Sequence, residues 1–282
     1  MRYGVISRKG RFHQTEIELP GPRRPHDIGV TPRYSILHDF PVFFDPALFE
    51  RTGKRIPVFH RDVPTRYGVI PRWGTNDDIR WFDFDPCYML HVVNCWEDGD
   101  WVVMTGCRNP DPTLRPDRRD GRIAAMLSGL KFNVHLWRWR MNMVTGETSE
   151  ECLDDFNAEF PMMNPSWTGI KNRFSYMQHL PCEIPATFDG IVKYDITDGS
   201  RRHWAYPKGV FGSESPFAPR AGATAEDDGY LVSFVTDTRD WTSSCQVFDA
   251  QDIERGPIAT VRLPHRIPAG FHATWMPGDE IA

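Results

Sequence analysis

The sequence predicts an all-β fold, and three observations carry that expectation. Apolar and polar residues alternate over short runs that fold back at glycine-bearing turns, the pattern of antiparallel hairpins. Prolines (24) and glycines (22) accompany 10 Trp, 18 Phe and 8 Tyr; prolines at that density interrupt helices, while aromatic side chains suit a pleated surface. A single stretch, residues 122–130 (RIAAMLSGL), has helical character. Hairpins without β-α-β alternation leave a propeller, a sandwich or a barrel, and their recurrence every few tens of residues favours the propeller. At 282 residues with no linker or low-complexity tract, the chain reads as one domain, residues 1–282.

Taken in order, YGVISRKGRFHQTEIEL gives two strands about Lys9-Gly10, so the chain opens directly in a sheet. After the break GPRRP, two short apolar runs flank Thr31-Pro32, with His26 expected to begin the first strand and His38 inside the second. Residues 66–84 repeat the pattern about a polar turn at 74–78. They lead into DPCYMLHVVNCWEDGDWVVM, residues 85–104, which alternates, turns at Asp98-Gly99 and runs back with His91 on its first strand. Further hairpins turn near Thr145-Gly146 and at Asp198-Gly199, and another spans YLVSFVTDTRDWTSSCQVFDA. The DG and TG turns recur because a tight turn needs positive φ, which glycine adopts without a Cβ clash. The helix at 122–130 reads as a surface element covering a sheet edge, with a lid or a membrane-facing patch as the alternative.

Hydrophobic content of 40%, charged content of 25% and a net charge of -5 fit an ordinary globular protein and give no electrostatic reason to bind nucleic acid. Cys87, Cys95, Cys107, Cys152, Cys182 and Cys245 form no CxxC pair, so neither a disulfide framework nor a thiolate zinc site is signalled, and reduced thiols in a cytoplasm fit. No apolar run reaches the length of a membrane span, and the N-terminus resembles neither a signal nor a transit peptide. A peripheral membrane contact stays open.

With no Gly-rich phosphate loop, GxSxG or HExxH, the histidines are the place to look for chemistry. His26, His91 and His272 stand out by setting, the last between Phe271 and Trp275. Their wide separations exclude a local motif, so a shared site must be assembled by the fold, as a propeller can do by bringing inner strands to one axis. Neutral imidazoles with open positions suit a redox metal that binds oxygen. A histidine in an apolar strand is more often a hydrogen-bonded core residue than a metal ligand. Glu159 in AEFPMMN and Glu214 in FGSESPFAPR lie among prolines and aromatics, where a carboxylate needs a partner. The Nδ1–H of a metal-bound histidine is one such partner, and a surface loop cap is the alternative.

The segments PHDIGVTPRYSILHDFPVFFDP, IPRWG, RWFDFDPCYMLHVVNCWEDGD, LDDFNAEFPMMN, FDGIVKYD, GATAEDDGYLVSF and LPHRIPAGFHATW resemble, in order from about residue 3 to residue 275, the carotenoid cleavage oxygenase family, which includes stilbene-cleaving dioxygenases. The resemblance implies a seven-bladed β-propeller whose axis carries non-haem Fe(2+) on four histidines, backed by glutamates and roofed by loops and helices. His26 falls on the family's HD-(hydrophobic)-x-(hydrophobic)-T motif, His91 on its HxxN strand with Asn94 in place, and His272 on its GFHxxW terminus. Glu159 and Glu214 fall on its backing carboxylates. His13, His38, His60, His135, His179, His203 and His265 match no ligand position and read as packing or surface residues.

In the family the first iron ligand and another glutamate lie upstream of the residue matching Met1, so the chain resembles the C-terminal part of such an enzyme, without its opening blades. The expectation is an Fe(2+)- and O2-dependent dioxygenase that cleaves a conjugated C=C bond of a carotenoid, apocarotenoid or stilbene into two carbonyl products. Trp137, Trp139, Phe271 and Trp275 are candidates for an apolar tunnel, with core packing the expected role for most of them. The alternative is an inactive or complementation-dependent propeller fragment acting as a binding module, because three ligands hold iron less tightly than four and open strand edges invite pairing. An N-terminal complementing segment or a second copy of the chain is then the partner.

Overall fold

In a computed structural model of the protein, which describes residues 1–181, 187–268, 270–278 and 281, strands meander back and forth about the turns read from the sequence. Gly99 and Gly199 take φ of 59° and 73°, the left-handed conformation that lets Asp98 and Asp198 turn directly into the returning strands. The architecture is all-β, with several antiparallel sheets built from sequence neighbours.

The chain divides into two compact units, one of residues 1–125, 137–152 and 169–171, the other of residues 126–136, 153–168 and 172–282. In the first, Arg2–Ile6 pairs with Phe12–Glu16, and Gly29–Val30, Tyr34–Asp39, Thr65–Pro71 and Arg80–Phe84 form a four-stranded sheet. A second four-stranded meander starts with Tyr88–Asp98 and Trp101–Asn109 and continues through His135–Asn142 and Thr148–Asp154. Ile36, Phe40, Tyr67, Met89, Met104 and Trp139 fill its core. The inward positions alternate along the strands, so register fixes which side chains reach that core.

In the second unit, Ala158–Met162, Phe174–His179, Gly190–Asp195 and Ser200–Ala205 form one meander. Val210–Phe211, Gly229–Asp237, Thr242–Asp249 and Pro257–Arg262 form another, with Phe217–Pro219 also on Gly229–Asp237. Tyr176, Ile191, Phe217, Leu231 and Phe248 make up its core.

The helix expected at 122–130 is present as Ala124–Gly129, after a 3-10 segment Arg118–Ile123. A second helix, Pro46–Thr52, corrects the expectation of a single one. Its signals are local: the Asp45 side chain accepts the Leu48 N–H, Pro46 opens the first turn, and Gly53 ends it at φ 65°. No described helix is long and apolar enough to cross a membrane. Cys87, Cys95 and Cys245 carry free thiols, and Cys182 lies outside the described residues.

Candidate metal centre

His91 lies half-buried on Tyr88–Asp98, and the pairing of that strand with Trp101–Asn109 shifts register on both sides of Gly106. The irregularity falls opposite His91 and re-aims the strand there, the usual consequence of a bulge. Gly106 is glycine for a steric reason: a Cβ would stand 2.3 Å from Met89 Sδ and 3.2 Å from the His91 carbonyl oxygen. Gly106→Val is therefore expected to cost about 2 kcal/mol by overpacking and to displace His91. Urea unfolding measures the first effect and the imidazole NMR shifts of His91 the second.

Three residues along, the Asn94 side chain accepts the Gly169 N–H (2.9 Å) and donates to the Ile170 carbonyl (2.8 Å). That pair of bonds ties the segment 169–171 to the histidine strand.

His26 does not begin a strand as the sequence suggested; it lies in irregular chain ahead of Gly29–Val30. The cause is its neighbour. Asp27 accepts the Ile28 N–H on one oxygen (2.7 Å) and the Val92 N–H on the other (2.8 Å), which holds His26 against the His91 strand by side-chain bonds instead of a ladder. The two imidazoles meet nearly edge to face, with ring centres 5.1 Å apart and planes at 74°. An ion about 2.1 Å from one nitrogen of each ring would leave the ring centres roughly 5 Å apart, so this pair fits shared metal ligation.

In the second unit the two glutamates are buried, Glu159 fully and Glu214 to 3% exposure, which rules out the alternative of exposed loop caps. Glu159 accepts the Phe160 N–H. Glu214 places Oε1 3.4 Å from His272 Nδ1, and its Oε2 accepts the Ala273 N–H. A carboxylate on Nδ1 fixes the tautomer that leaves Nε2 as the donor to a metal. His272 itself lies in irregular chain with its side chain 61% exposed.

Beside it is a cavity of about 360 Å³ with Phe188, Phe211, Phe234, Ile267 and Phe271 among its walls and Glu214 and His272 at its lining. That size lies near the lower end of small-molecule pockets, and the wall chemistry suits an apolar ligand. Among the tunnel candidates Phe271 lines this cavity, whereas Trp139 is a fully buried core residue packed against Tyr67. Phe211 and Phe234 carried no sequence signal, being two aromatics among many.

Four other histidines, His13, His38, His60 and His179, make packing or hydrogen-bond contacts. His38 is fully buried between Phe40 and Tyr67, and burial pushes its pKa down to about 4 against the opposing pull of Asp27. His60 stacks on Phe43, His13 shares a hydrogen bond with the Gly74 carbonyl, and His179 bonds Asp189 at 2.5 Å.

Comparison with known proteins places these features. Residues 1–277 match the family described as retinal pigment epithelial membrane protein. The carotenoid 9,10(9',10')-cleavage dioxygenase 1 of Pisum sativum is 35% identical over 296 residues, which cover 99% of this chain and 54% of that protein. The chain thus spans about half the length of that relative. Among solved structures, the Pseudomonas brassicacearum lignostilbene dioxygenase superposes with a TM-score of 0.83 at 23% identity, over 98% of this chain and 60% of that one. A cobalt-substituted Synechocystis ACO does so with a TM-score of 0.80 at 25% identity, over 94% and 55%. The antiparallel sheets match the β-propeller of these oxygenases. By the family match over nearly its whole length, the chain belongs to the retinal pigment epithelial membrane protein family, that of the carotenoid cleavage oxygenases.

Proposed function

We propose that the chain takes part, as one propeller-type domain, in the O2-dependent cleavage of a conjugated C=C bond in a carotenoid, apocarotenoid or stilbene-like substrate. His26, His91 and His272 would hold Fe(2+), with Glu159 and Glu214 behind them. The observation that carries this reading is the edge-to-face pair of His26 and His91, 5.1 Å between ring centres, on a strand distorted opposite Gly106. Support comes from the Glu214 carboxylate near His272 Nδ1 and from the names of relatives such as the Pisum sativum carotenoid cleavage dioxygenase and the Pseudomonas brassicacearum lignostilbene dioxygenase.

Bound iron would supply activation of O2 next to the alkene. The chain's own residues do the rest. Neutral imidazoles donate without adding charge, so the metal keeps its electrophilic character. Asp27 and Asn94 hold the His91 strand to the segments around it, and Glu214 holds the His272 tautomer. Phe211, Phe234 and Phe271 offer an apolar wall that takes up a hydrophobic chain and keeps water out. The overall change balances without a proton donor, since one O2 and one C=C give two C=O groups.

The test is to load the purified chain with Fe(2+) without air, add an apocarotenal or a hydroxystilbene under 18O2, and analyse the products by mass spectrometry. Labelled carbonyl products are expected, and iron-loaded chain that consumes neither substrate overturns the reading. Glu214→Gln keeps the shape but weakens the acceptor behind His272; it is expected to lower metal affinity about 10- to 100-fold. Isothermal titration with the metal reads this effect, while the melting temperature stays near that of the parent chain.

A further inference from the structure

Phe160 has a backbone that its side chain does not favour. Its φ is 56°, and Trp241 is the one other non-glycine residue with positive φ among the described residues. In a regular strand, side chains alternate between faces, yet Glu159 and Phe160 are both buried, fully and to 3% exposure. The pairing of Ala158–Met162 with Phe174–His179 slips between Glu159 and Met162, so the left-handed residue sits in a bulge that re-aims its side chain. Left-handed conformations at bulky residues persist only where the surroundings impose them, and they cluster at functional sites.

The surroundings here are specific. Phe188 meets the Phe160 ring at 4.8 Å and 63°, wedging it from one side. The Phe271 ring lies parallel to it, 5.7 Å away at 10°, and the His272 ring stands 5.7 Å away at 48°. His272 has no ladder to fix it, since residues 270–277 form no strand or helix. Glu214 fixes one edge of this segment through the Nδ1 contact and the Ala273 N–H. Beside that edge contact, the Phe160 ring lies flat against Phe271 and tilted against the His272 imidazole, so it bears on the plane of both rings.

We propose that Phe160 is a positioning residue: its ring, re-aimed by the left-handed bulge, holds Phe271 and sets the orientation of the His272 imidazole. This rests on the reading of His272 as a metal ligand. It also yields a consequence independent of any metal, namely order in the backbone around Ala273.

Two variants of the 282-residue chain test it. Phe160→Leu keeps apolar bulk but removes the flat face, and Phe160→Tyr keeps the face. Hydrogen exchange on the metal-free protein should show the Ala273 amide of Phe160→Leu exchanging at least about tenfold faster. The amides of Val192 and Tyr194, in the core strand of the same unit, should be unchanged. Titration with Co2+ should show affinity weakened about tenfold in Phe160→Leu, with an altered ligand-field spectrum. Phe160→Tyr should restore both measurements.

Unchanged Ala273 exchange in Phe160→Leu overturns the proposal, as does equal acceleration of Val192 and Tyr194, which would mark Phe160 as ordinary core. If Co2+ binds neither the parent nor the variants while Ala273 responds as expected, the metal reading of His272 falls and the hold of Phe160 on this segment stands.

Discussion

His91→Ala is expected to weaken metal binding by more than about 100-fold, beyond the usual cost of disturbing a group that merely backs a ligand, and to abolish O2-dependent cleavage with it. The substitution removes one imidazole of the proposed three and leaves His26 without the ring it meets edge to face. Stability should change little by comparison. His91 is half-buried, and the Asp27–Val92 and Asn94–Gly169 bonds that pin its strand use neighbouring residues. The contrast is His179→Ala, which removes a histidine bonded to Asp189 and should leave metal stoichiometry at the parent value. Metal content after loading and desalting, measured on both variants, checks the pair. Equal metal in His91→Ala and the parent chain would sink the ligand assignment.

The second large effect concerns acid. His38 titrates near 6.5 when exposed but near 4 in the fold, because burial disfavours the imidazolium and outweighs the nearby Asp27 carboxylate. Between those values the unfolded chain binds the proton and the folded chain does not, so folding is penalised as pH falls. The contribution is fully present above pH 6.5, is lost progressively as pH drops toward 4, and is flat below that. A difference of that size corresponds to about 3 kcal/mol. Urea unfolding of the parent chain and His38→Phe at a series of pH values between 7 and 4 isolates it. The difference in stability between the two should shift by that amount in favour of the variant on acidification, and a pH-independent difference would contradict the account.

Much of this molecule could be read in one dimension because its signals are local. The turn at Asp98-Gly99 needs only a glycine that accepts positive φ, whereas the strand before it is buried on both faces from Val93 to Trp96 and does not keep the alternation its sequence suggested. For Glu159 and Glu214 the sequence left a surface cap open beside a buried carboxylate paired with a histidine Nδ1, and the structure shows both buried, with Glu214 beside His272 Nδ1. What escaped depends on contacts between distant residues. Asp27 looked like the second letter of a motif, and its work on the Val92 N–H appears only once residues 65 positions apart are side by side. Gly106 gave no turn signal, because it is needed for a close approach to Met89 and not for its own φ. Phe160 is the extreme case, since a left-handed phenylalanine contradicts its propensity and only the packing of Phe188 and Phe271 explains it. The helix Pro46–Thr52, by contrast, carried its caps in the sequence, where seven residues between hairpins were too few to show a helical period.

X-ray absorption at the iron edge, on chain loaded with one equivalent of Fe(2+), tests the central claim most directly. The account predicts stoichiometric iron with three imidazole nitrogens at about 2.1 Å, falling to two in His91→Ala and in His272→Ala. Iron that fails to bind, or that binds without imidazole scattering and with the same spectrum in both variants, would contradict it.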